Sequence, residues 1–288
     1  MKLKEKRTLS FIIIALIYVI ASGVGLISYL LLPFSKMWIK LLLSDIIATI
    51  FTFIFGLIFK NASVYDPYWS VQPIVIVYIF IGIYGASVTG ILVTIAITIW
   101  GIRLTANWAY TFKNLTHQDW RYTMLKEKTG KFYPVINFIG IHLVPTLVVY
   151  ACTLPAVYVI LSKPDVNVGA IIFFVLCILA VLLQVTADIQ MHKFRKNRTT
   201  PFIQTGVWKY SRHPNYLAEI SMWWCVGLFT TCLLPSMWYL LCGAILNTLL
   251  FTFVSIPMAD KRQSKKEGFE EYKAQTNALI PLPKTLRK

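Results

Sequence analysis

The chain has few charged residues, and few of those are acidic. Only 14% of its 288 residues are charged, and Asp and Glu together number 12 against 28 Lys and Arg. Charged residues make up about 25% of an ordinary soluble domain, so this scarcity argues against one. Because 57% of the residues are hydrophobic, the composition predicts an integral membrane protein.

Several common signatures are also absent. The five cysteines show no CxxC or zinc-ligand spacing, so the sequence predicts neither a disulfide framework nor a metal site. It has no Gly-x-Gly-x-x-Gly motif, so a bound nucleotide would lie against helix ends rather than on a Rossmann sheet. No fixed-period repeat or low-complexity segment indicates a solenoid or a disordered tract.

Long apolar runs, in contrast, are abundant. They have about the 17 to 25 residues needed to cross a bilayer and are too uniformly apolar for barrel strands, so we predict transmembrane helices. We place eight spans near 9–32, 38–59, 70–86, 87–111, 136–162, 168–190, 216–233 and 236–256. The count ranges from seven to nine, because only "GAS" separates the third from the fourth and two prolines interrupt the fifth.

The predicted fold is therefore an all-α polytopic membrane protein, a single integral membrane domain over residues 1–288. The first span is too long, and too soon followed by the next, to be a cleaved signal peptide.

Lys and Arg are unevenly distributed between the two ends of these spans. With eight spans, only Lys36, Lys40 and Lys163 fall on one side and Arg103 lies inside a span, which leaves 24 of the 28 on the other side. The positive-inside rule places that side, with both termini, in the cytoplasm. This topology explains the net charge of +16 without nucleic acid. It also predicts that Asn61 of the "NAS" sequon stays unglycosylated. The membrane is the bacterial inner membrane or the endoplasmic reticulum.

Three helix ends on the basic side carry polar residues at helical spacing. These are Asp188, His192 and Arg195 on the sixth span, Arg103, Asn107 and Tyr110 on the fourth, and Asn215 and Glu219 directly after Pro214 at the start of the seventh. Guanidinium groups bind phosphate through two hydrogen bonds, and an Asn amide can both donate to and accept from a carboxamide. The combination favours a site for a phosphorylated cofactor that opens to the cytoplasm.

Taken singly, such residues also have structural explanations. Basic residues beside spans, such as Lys196 and Arg198, are commonly topology signals and lipid-headgroup contacts. Arg103 can snorkel to the membrane surface. His142 is expected to be a packed or helix-bonding histidine, and Asp45 to face water or a partner. The functional prediction depends on the combination.

Most of the chain after about residue 60 resembles a known family. "ADIQMHKFRKN", "YSRHPNYLAEI" and "FEEYKAQTNALIPLP" are similar to the C-terminal region of the steroid 5-alpha-reductase superfamily, and "NASVYDPYWS" and "DWRY" to elements of its relatives of unassigned substrate. The resemblance covers about 60–283 and leaves 1–59 as two additional N-terminal spans. It implies a membrane enzyme that uses NADPH to reduce a carbon–carbon double bond conjugated to a carbonyl. A steroid-like or other lipid substrate is implied, and no protein partner.

The resemblance also implies a set of cofactor-binding residues. Asn215 matches the residue that holds the nicotinamide carboxamide, with Glu219 as its helical partner. Asp188 and Arg195 match residues of the adenosine and phosphate region. The remaining cofactor positions that we assign are Arg103, Asn107 and Tyr272 by match, and Arg212, His213 and Tyr216 in the turn at 207–219, which we expect to grip the reacting end of the cofactor.

The substrate side of the implied site departs from the family pattern. Asp66 falls where the steroid reductases have an acidic residue that, with a Tyr, polarises the substrate ketone. The position of that Tyr is Trp100 here, and an indole cannot pass a proton to an enolate as a phenol can. We therefore predict Asp66, Tyr68 and Tyr110 as catalytic, with Tyr65 as a further substitute. "ADKRQ" also replaces the His-rich tail of the steroid enzymes.

Two other functions remain open. The isoprenylcysteine carboxyl methyltransferases resemble the same region, with an "RHPxY" turn and a downstream Glu, and bind S-adenosylmethionine there. The fold is also compatible with a non-catalytic sterol or lipid binder. Asn215, the face from Asp188 to Arg195 and "NALIPLP" favour the reductases.

Overall fold

The structure, a computed structural model, describes residues 4–281 and is helical throughout that range. No sheet strand occurs there, and the single extended pairing is an isolated parallel bridge between Ser211 and Asn277. Eight helical segments of this range are long and apolar enough to cross a membrane: Arg7–Leu31, Met37–Phe59, Ala62–Tyr84, Val88–Thr111, Trp120–Ser162, Val168–Lys196, Pro214–Leu233 and Pro235–Gln263. The prediction of an all-α protein with eight spans is confirmed.

Parts of two predictions lie outside the described residues. Residues 1–3 and 282–288, at the two ends of the chain, are not described. The side of the membrane on which the termini lie stays a prediction. The region of resemblance, predicted to run to 283, extends two residues beyond the described chain.

Twelve α-helices lie within the described range, joined by short 3-10 and π segments. They are α1 (Arg7–Leu31), α2 (Met37–Phe59), α3 (Tyr68–Tyr84), α4 (Val88–Thr111), α5 (Trp120–Thr129), α6 (Tyr133–Ile136), α7 (Val144–Ser162), α8 (Val168–Lys196), α9 (Pro214–Leu233), α10 (Cys242–Leu250), α11 (Ile256–Gln263) and α12 (Phe269–Gln275). The π segments are Asn137–Leu143 and Phe251–Ser255.

The fifth span begins earlier than hydropathy predicts. We predicted 136–162, but the helical segment runs over Trp120–Ser162. α5 starts this early because the Asp119 carboxylate accepts the backbone N–H two residues on at 2.9 Å, which caps the helix. Pro145 directly follows the π segment Asn137–Leu143 and Val144 within this continuous helical segment, and Pro155 lies inside α7; neither proline ends the helix.

The described chain divides into two compact units. The first comprises the described residues through Gly85 together with Trp100–Val157, and the second comprises Ala86–Ile99 and the described residues from Tyr158 onward. The prediction of a single integral membrane domain stays a prediction.

In the first unit, the connection after α2 is buried rather than exposed. Asn61 is 3% exposed, and its amide donates to the carbonyls of Leu115 at 2.7 Å and His117 at 3.1 Å. The Tyr18 hydroxyl donates to the Val64 carbonyl at 2.6 Å. Because the Asn61 amide is enclosed, a missing glycan there would follow from burial alone and would not report the side of the membrane.

In the second unit, the turn before α9 packs against the end of α8. The Trp208 indole N–H donates to the Ala187 carbonyl at 3.2 Å, and the Gln190 side chain accepts from the Val207 N–H at 2.9 Å. Gly206 has φ +61, and a Cβ there would lie 2.2 Å from the Gln190 amide oxygen. This position therefore requires glycine.

Candidate functional site

The polar site of the second unit is built on α8 and α9, which run antiparallel. Asn167, before the start of α8, donates to the Cys232 carbonyl near the end of α9 at 2.7 Å. Gln184, well along α8, donates to the Glu219 carboxylate near the start of α9 at 2.6 Å. One helical turn from this second contact, toward the charged ends of both helices, lie Asp188 on α8 and Asn215 on α9.

Two amide oxygens of this helix pair are buried without a hydrogen-bond partner. They are Gln184 Oε1 and Asn215 Oδ1. A buried acceptor that receives no hydrogen bond destabilises the protein by about 1–3 kcal/mol. Each of the two oxygens therefore keeps an unused acceptor site.

Glu219 fixes the position of one of these amides. It is 4% exposed, its Oε2 accepts from Gln184, and its Oε1 accepts from the Trp223 indole N–H at 3.0 Å. The predicted role of Glu219 as the partner of Asn215 stays a prediction, and these bonds give its carboxylate two further partners, Gln184 and Trp223. Sequence reasoning missed Gln184, although an amide four residues before Asp188 in an apolar span was a usable signal.

Four cationic side chains cluster where α8 and α11 end. Burial lowers the pKa of the half-buried Lys266 ammonium, and the charges of Arg198, Arg262 and Arg195 lower its pKa further. Mutual repulsion of this kind favours binding of an anion among the cations. The cluster includes the predicted Arg195 and adds Arg262 and Lys266, which lie in and after the "ADKRQ" segment.

Arg212 and His213 close the turn before α9 onto the C-terminal segment. The carboxylate of Asp260, on α11, lies 2.9 Å from Arg212 Nη2 and 2.9 Å from His213 Nε2. The Arg212 side chain is 9% exposed. The backbone N–H groups of Arg212 and His213 donate to the carbonyls of Asn277 at 2.9 Å and Ala278 at 3.0 Å. We call this arrangement the Asp260 clamp. Arg212 and His213, which we predicted to bind the cofactor, therefore make internal contacts that hold the turn in place.

Tyr216 and Tyr272 also make contacts within the protein. Tyr216 stacks on the His213 ring at 5.0 Å and meets Phe251 at 4.9 Å. Burial raises the pKa of the Tyr272 phenol, which therefore keeps its proton and donates to the Trp208 carbonyl. The cofactor roles of Arg212, His213, Tyr216 and Tyr272 stay predictions, while their observed contacts hold the turn.

The predicted catalytic residues of the first unit bind different partners. Asp66 Oδ1 accepts from the Tyr122 hydroxyl at 2.6 Å. The Tyr68 hydroxyl donates to Asp45 at 3.3 Å, whereas Tyr110 is 68% exposed. Tyr122, the last residue of "DWRY", was missed by sequence reasoning because only the tertiary fold brings it to Asp66.

The second half of α4 carries the remaining predicted positions. Trp100 is fully buried and meets Trp69 edge-on at 6.1 Å, which is the contact of a packed residue. α3 and α4 approach closely here, since a Cβ on Gly101 would lie 2.5 Å from the Ser70 carbonyl. Arg103 and Asn107 follow on the same helix within the first unit, and their predicted cofactor role stays a prediction.

His142 and Asp45, which we considered singly, are both buried and hydrogen-bonded within the protein. His142 is fully buried and its Nδ1 bonds the Asn137 carbonyl at 3.0 Å, the helix-bonding histidine that we expected. Asp45 is buried and has partners rather than facing water. Over residues 4–281, no group of three or more His, Cys, Asp or Glu side chains could hold a metal ion.

The chain matches known proteins over most of its length. The profile of the family described as "Protein of unknown function (DUF1295)" matches residues 52–276. Among curated proteins, the uncharacterized protein C594.04c of Schizosaccharomyces pombe (strain 972 / ATCC 24843) is 25% identical over 246 residues, which covers 74% of this chain and 69% of the yeast protein. No solved structure matches. Because the match spans well over half of its length, the chain belongs to the DUF1295 family.

Proposed function

We propose that this protein is an NADPH-dependent membrane reductase that acts on an activated carbon–carbon double bond in a lipid. The observation that carries the proposal is the pair of buried, unpartnered amide oxygens of Gln184 and Asn215 on adjacent helices. A carboxamide NH2 has two N–H donors to offer such a pair. The sequence resemblance supports the same cofactor.

The residues of the second unit fit both ends of NADPH. Gln184 and Asn215 would accept from the nicotinamide carboxamide, with Glu219 holding the Gln184 side chain in place. Arg195 and Arg262, beside Lys266 in the cationic cluster, would bind phosphate. When bound, the cofactor supplies a hydride. Binding and orientation are the work of these side chains.

The Asp260 clamp would act by positioning. Arg212 and His213 hold the residues just before Asn215 against the C-terminal segment. A fixed turn keeps the Asn215 side chain oriented at low entropic cost when the cofactor binds. On this proposal, the two basic residues of "RHPNY" prepare the site and do not themselves contact nicotinamide.

On the substrate side, Asp66 and Tyr122 form the best-defined pair. Their hydrogen bond at 2.6 Å joins a carboxyl group to a phenol. A protonated carboxyl or a phenol can donate to a developing enolate oxygen. We propose Asp66 in this role, with Tyr122 orienting it, while Tyr68 and Tyr110 remain the substitutes that the sequence suggested.

Substitution of Asn215 by Asp tests the cofactor assignment. The change keeps the volume and one acceptor oxygen, but it replaces the Asn215 Nδ2 donor, which would bond the carboxamide oxygen, with a charged acceptor that repels that oxygen. We expect NADPH to bind at least tenfold more weakly, about 1.4 kcal/mol, in titrations of detergent-purified protein. S-adenosylmethionine should bind neither the parent protein nor the variant.

Asn167→Asp is the matched control, because it makes the same chemical change at the opposite end of the α8–α9 pair and Asp also caps a helix. It should bind NADPH like the parent. Unchanged NADPH affinity in Asn215→Asp would contradict the assignment. Methyl transfer from S-adenosylmethionine by the parent protein would favour the methyltransferase instead.

A further inference from the structure

A cavity lies between α1, α2 and α3 in the first unit. It contains about 580 Å³ of space not occupied by atoms, a figure that includes space open at the surface. Its walls are apolar side chains such as Leu26, Leu41 and Phe80, and its polar lining residues include Asp45, Gln72 and Tyr68. We call it the α1–α3 cavity.

Asp45 is the unusual member of this lining. It is 4% exposed, and its oxygens accept from the Gln72 amide at 2.6 Å and the Tyr68 hydroxyl at 3.3 Å. Both donors are neutral. An Asn would connect α2 to α3 without burying a carboxylate, which is expensive in a membrane span. Holding the helices together therefore does not explain an acid at this position.

The chemistry of the lining defines what could bind beside it. A carboxylate offers about four lone-pair sites, and the two bonds at Asp45 use two of them. A ligand hydroxyl can donate to one of the remaining sites. No lining residue is a Lys, Arg or His. The Lys40 ammonium lies over the ring of the lining residue Tyr29 at 5.1 Å, but the two printed partners of Asp45 are neutral, so the lining beside Asp45 favours an uncharged polar group.

We propose that the α1–α3 cavity binds a neutral lipid alcohol, whose hydroxyl donates to Asp45 and whose apolar body lies among the side chains of α1, α2 and α3. Tyr68, one of the predicted catalytic residues, lines the cavity, but the inference concerns binding alone and its test needs neither NADPH nor turnover. The family match begins at residue 52, after Asp45 and all the lining residues of α1 and α2. The part of the lining on α1 and α2, including Asp45, therefore lies outside the matched region, whereas the part on α3 lies inside it.

Photolabelling of the purified protein tests this site. The probe is tritiated hexadecan-1-ol with a diazirine in its chain, and the matched probe is its methyl ether, which cannot donate a hydrogen bond. We expect the alcohol to label peptides of α1, α2 and α3, and the ether at least tenfold less. Unlabelled hexadecan-1-ol should compete, whereas hexadecanoic acid and hexadecylamine should not. Equal labelling by the ether, or stronger competition by the amine, would overturn the proposal.

Two variants locate the binding. Asp45→Asn should reduce alcohol labelling about tenfold or more, the scale of a hydrogen bond to a charged group. Val75→Phe adds bulk to a lining residue of α3 without altering Asp45, so the test survives if the first variant fails to fold. Ile83→Phe introduces the same aromatic side chain at an exposed position of the same helix and should label normally. Unchanged labelling of a folded Asp45→Asn or Val75→Phe protein would place the ligand elsewhere.

Discussion

Asp260 and Asp45 are both buried carboxylates, yet their surroundings are opposite. Asp260 lies between Arg212 and His213 and ties two distant segments together. Asp45 meets only the neutral donors Gln72 and Tyr68 and faces a cavity. A carboxylate paired with basic side chains has a structural role, because its removal would leave a buried charge unpaired. An acid among neutral donors keeps acceptor capacity for a ligand.

The largest expected effect follows from breaking the Asp260 clamp. Asp260→Asn should destabilise the second unit by about 3 kcal/mol, because the guanidinium of Arg212 stays buried without its counter-ion. Hydrogen exchange should accelerate at the Arg212 and His213 amides, which bond the C-terminal segment. Asp165→Asn, in an exposed connection, should change neither. Exchange as slow as in the parent protein would show that the ion pairs do not hold this segment.

The turn that the clamp closes should be the next most sensitive. Gly206→Ala should destabilise it by about 2 kcal/mol, because alanine is strained at φ +61 and its Cβ would displace Gln190 from the Val207 N–H. Gly268→Ala is the control, since Gly268 has φ +75 but nothing within 4 Å of an added Cβ. Thermal unfolding and local hydrogen exchange measure both. Equal losses of stability in the two variants would mean that backbone strain, and not the contact with Gln190, causes the destabilisation.

A cation outside the clamp should affect binding rather than stability. Arg195→Ala should weaken the binding of NADPH by about 1.5 kcal/mol, the scale of a charge-assisted hydrogen bond. Titrations at fixed ionic strength measure this change. Lys196→Ala, off the face shared by Asp188 and Arg195, should do much less. Similar losses in the two variants would indicate a diffuse basic surface. Neither change should alter the unfolding temperature.

The smallest expected effect is at Asp45. Asp45→Asn should change stability by less than about 1 kcal/mol, since losing one hydrogen bond is offset by no longer burying a charge. The same substitution at Asp260 and at Asp45 therefore compares the two environments directly in thermal unfolding. A loss at Asp45 as large as that at Asp260 would remove the distinction between them.

The eight spans were predictable because membrane insertion depends on the length and apolarity of each run. α5 was not, because it is polar and begins at a local cap on Asp119. The contact of Gln184 with Glu219 depends on the register of α8 against α9, which no single-helix pattern encodes. The Asp260 clamp likewise joins residues 47 and 48 positions apart. Spacing along one helix could identify Asp188 and Asn215 as candidate site residues. It could not identify the residues on other helices that surround them in the fold.

The Asp260 clamp also has a consequence for biogenesis. The residues that fasten the turn before α9 are made 48 to 67 positions after Arg212 and Ser211, which they contact. At about 5–20 residues per second, a ribosome needs roughly 2 to 13 seconds to supply them. During that interval α9 is available for insertion while the turn, with Trp208 and Phe202 beside it, still lacks its C-terminal cover. The nascent chain at this stage should be the form that membrane-associated chaperones and proteases encounter.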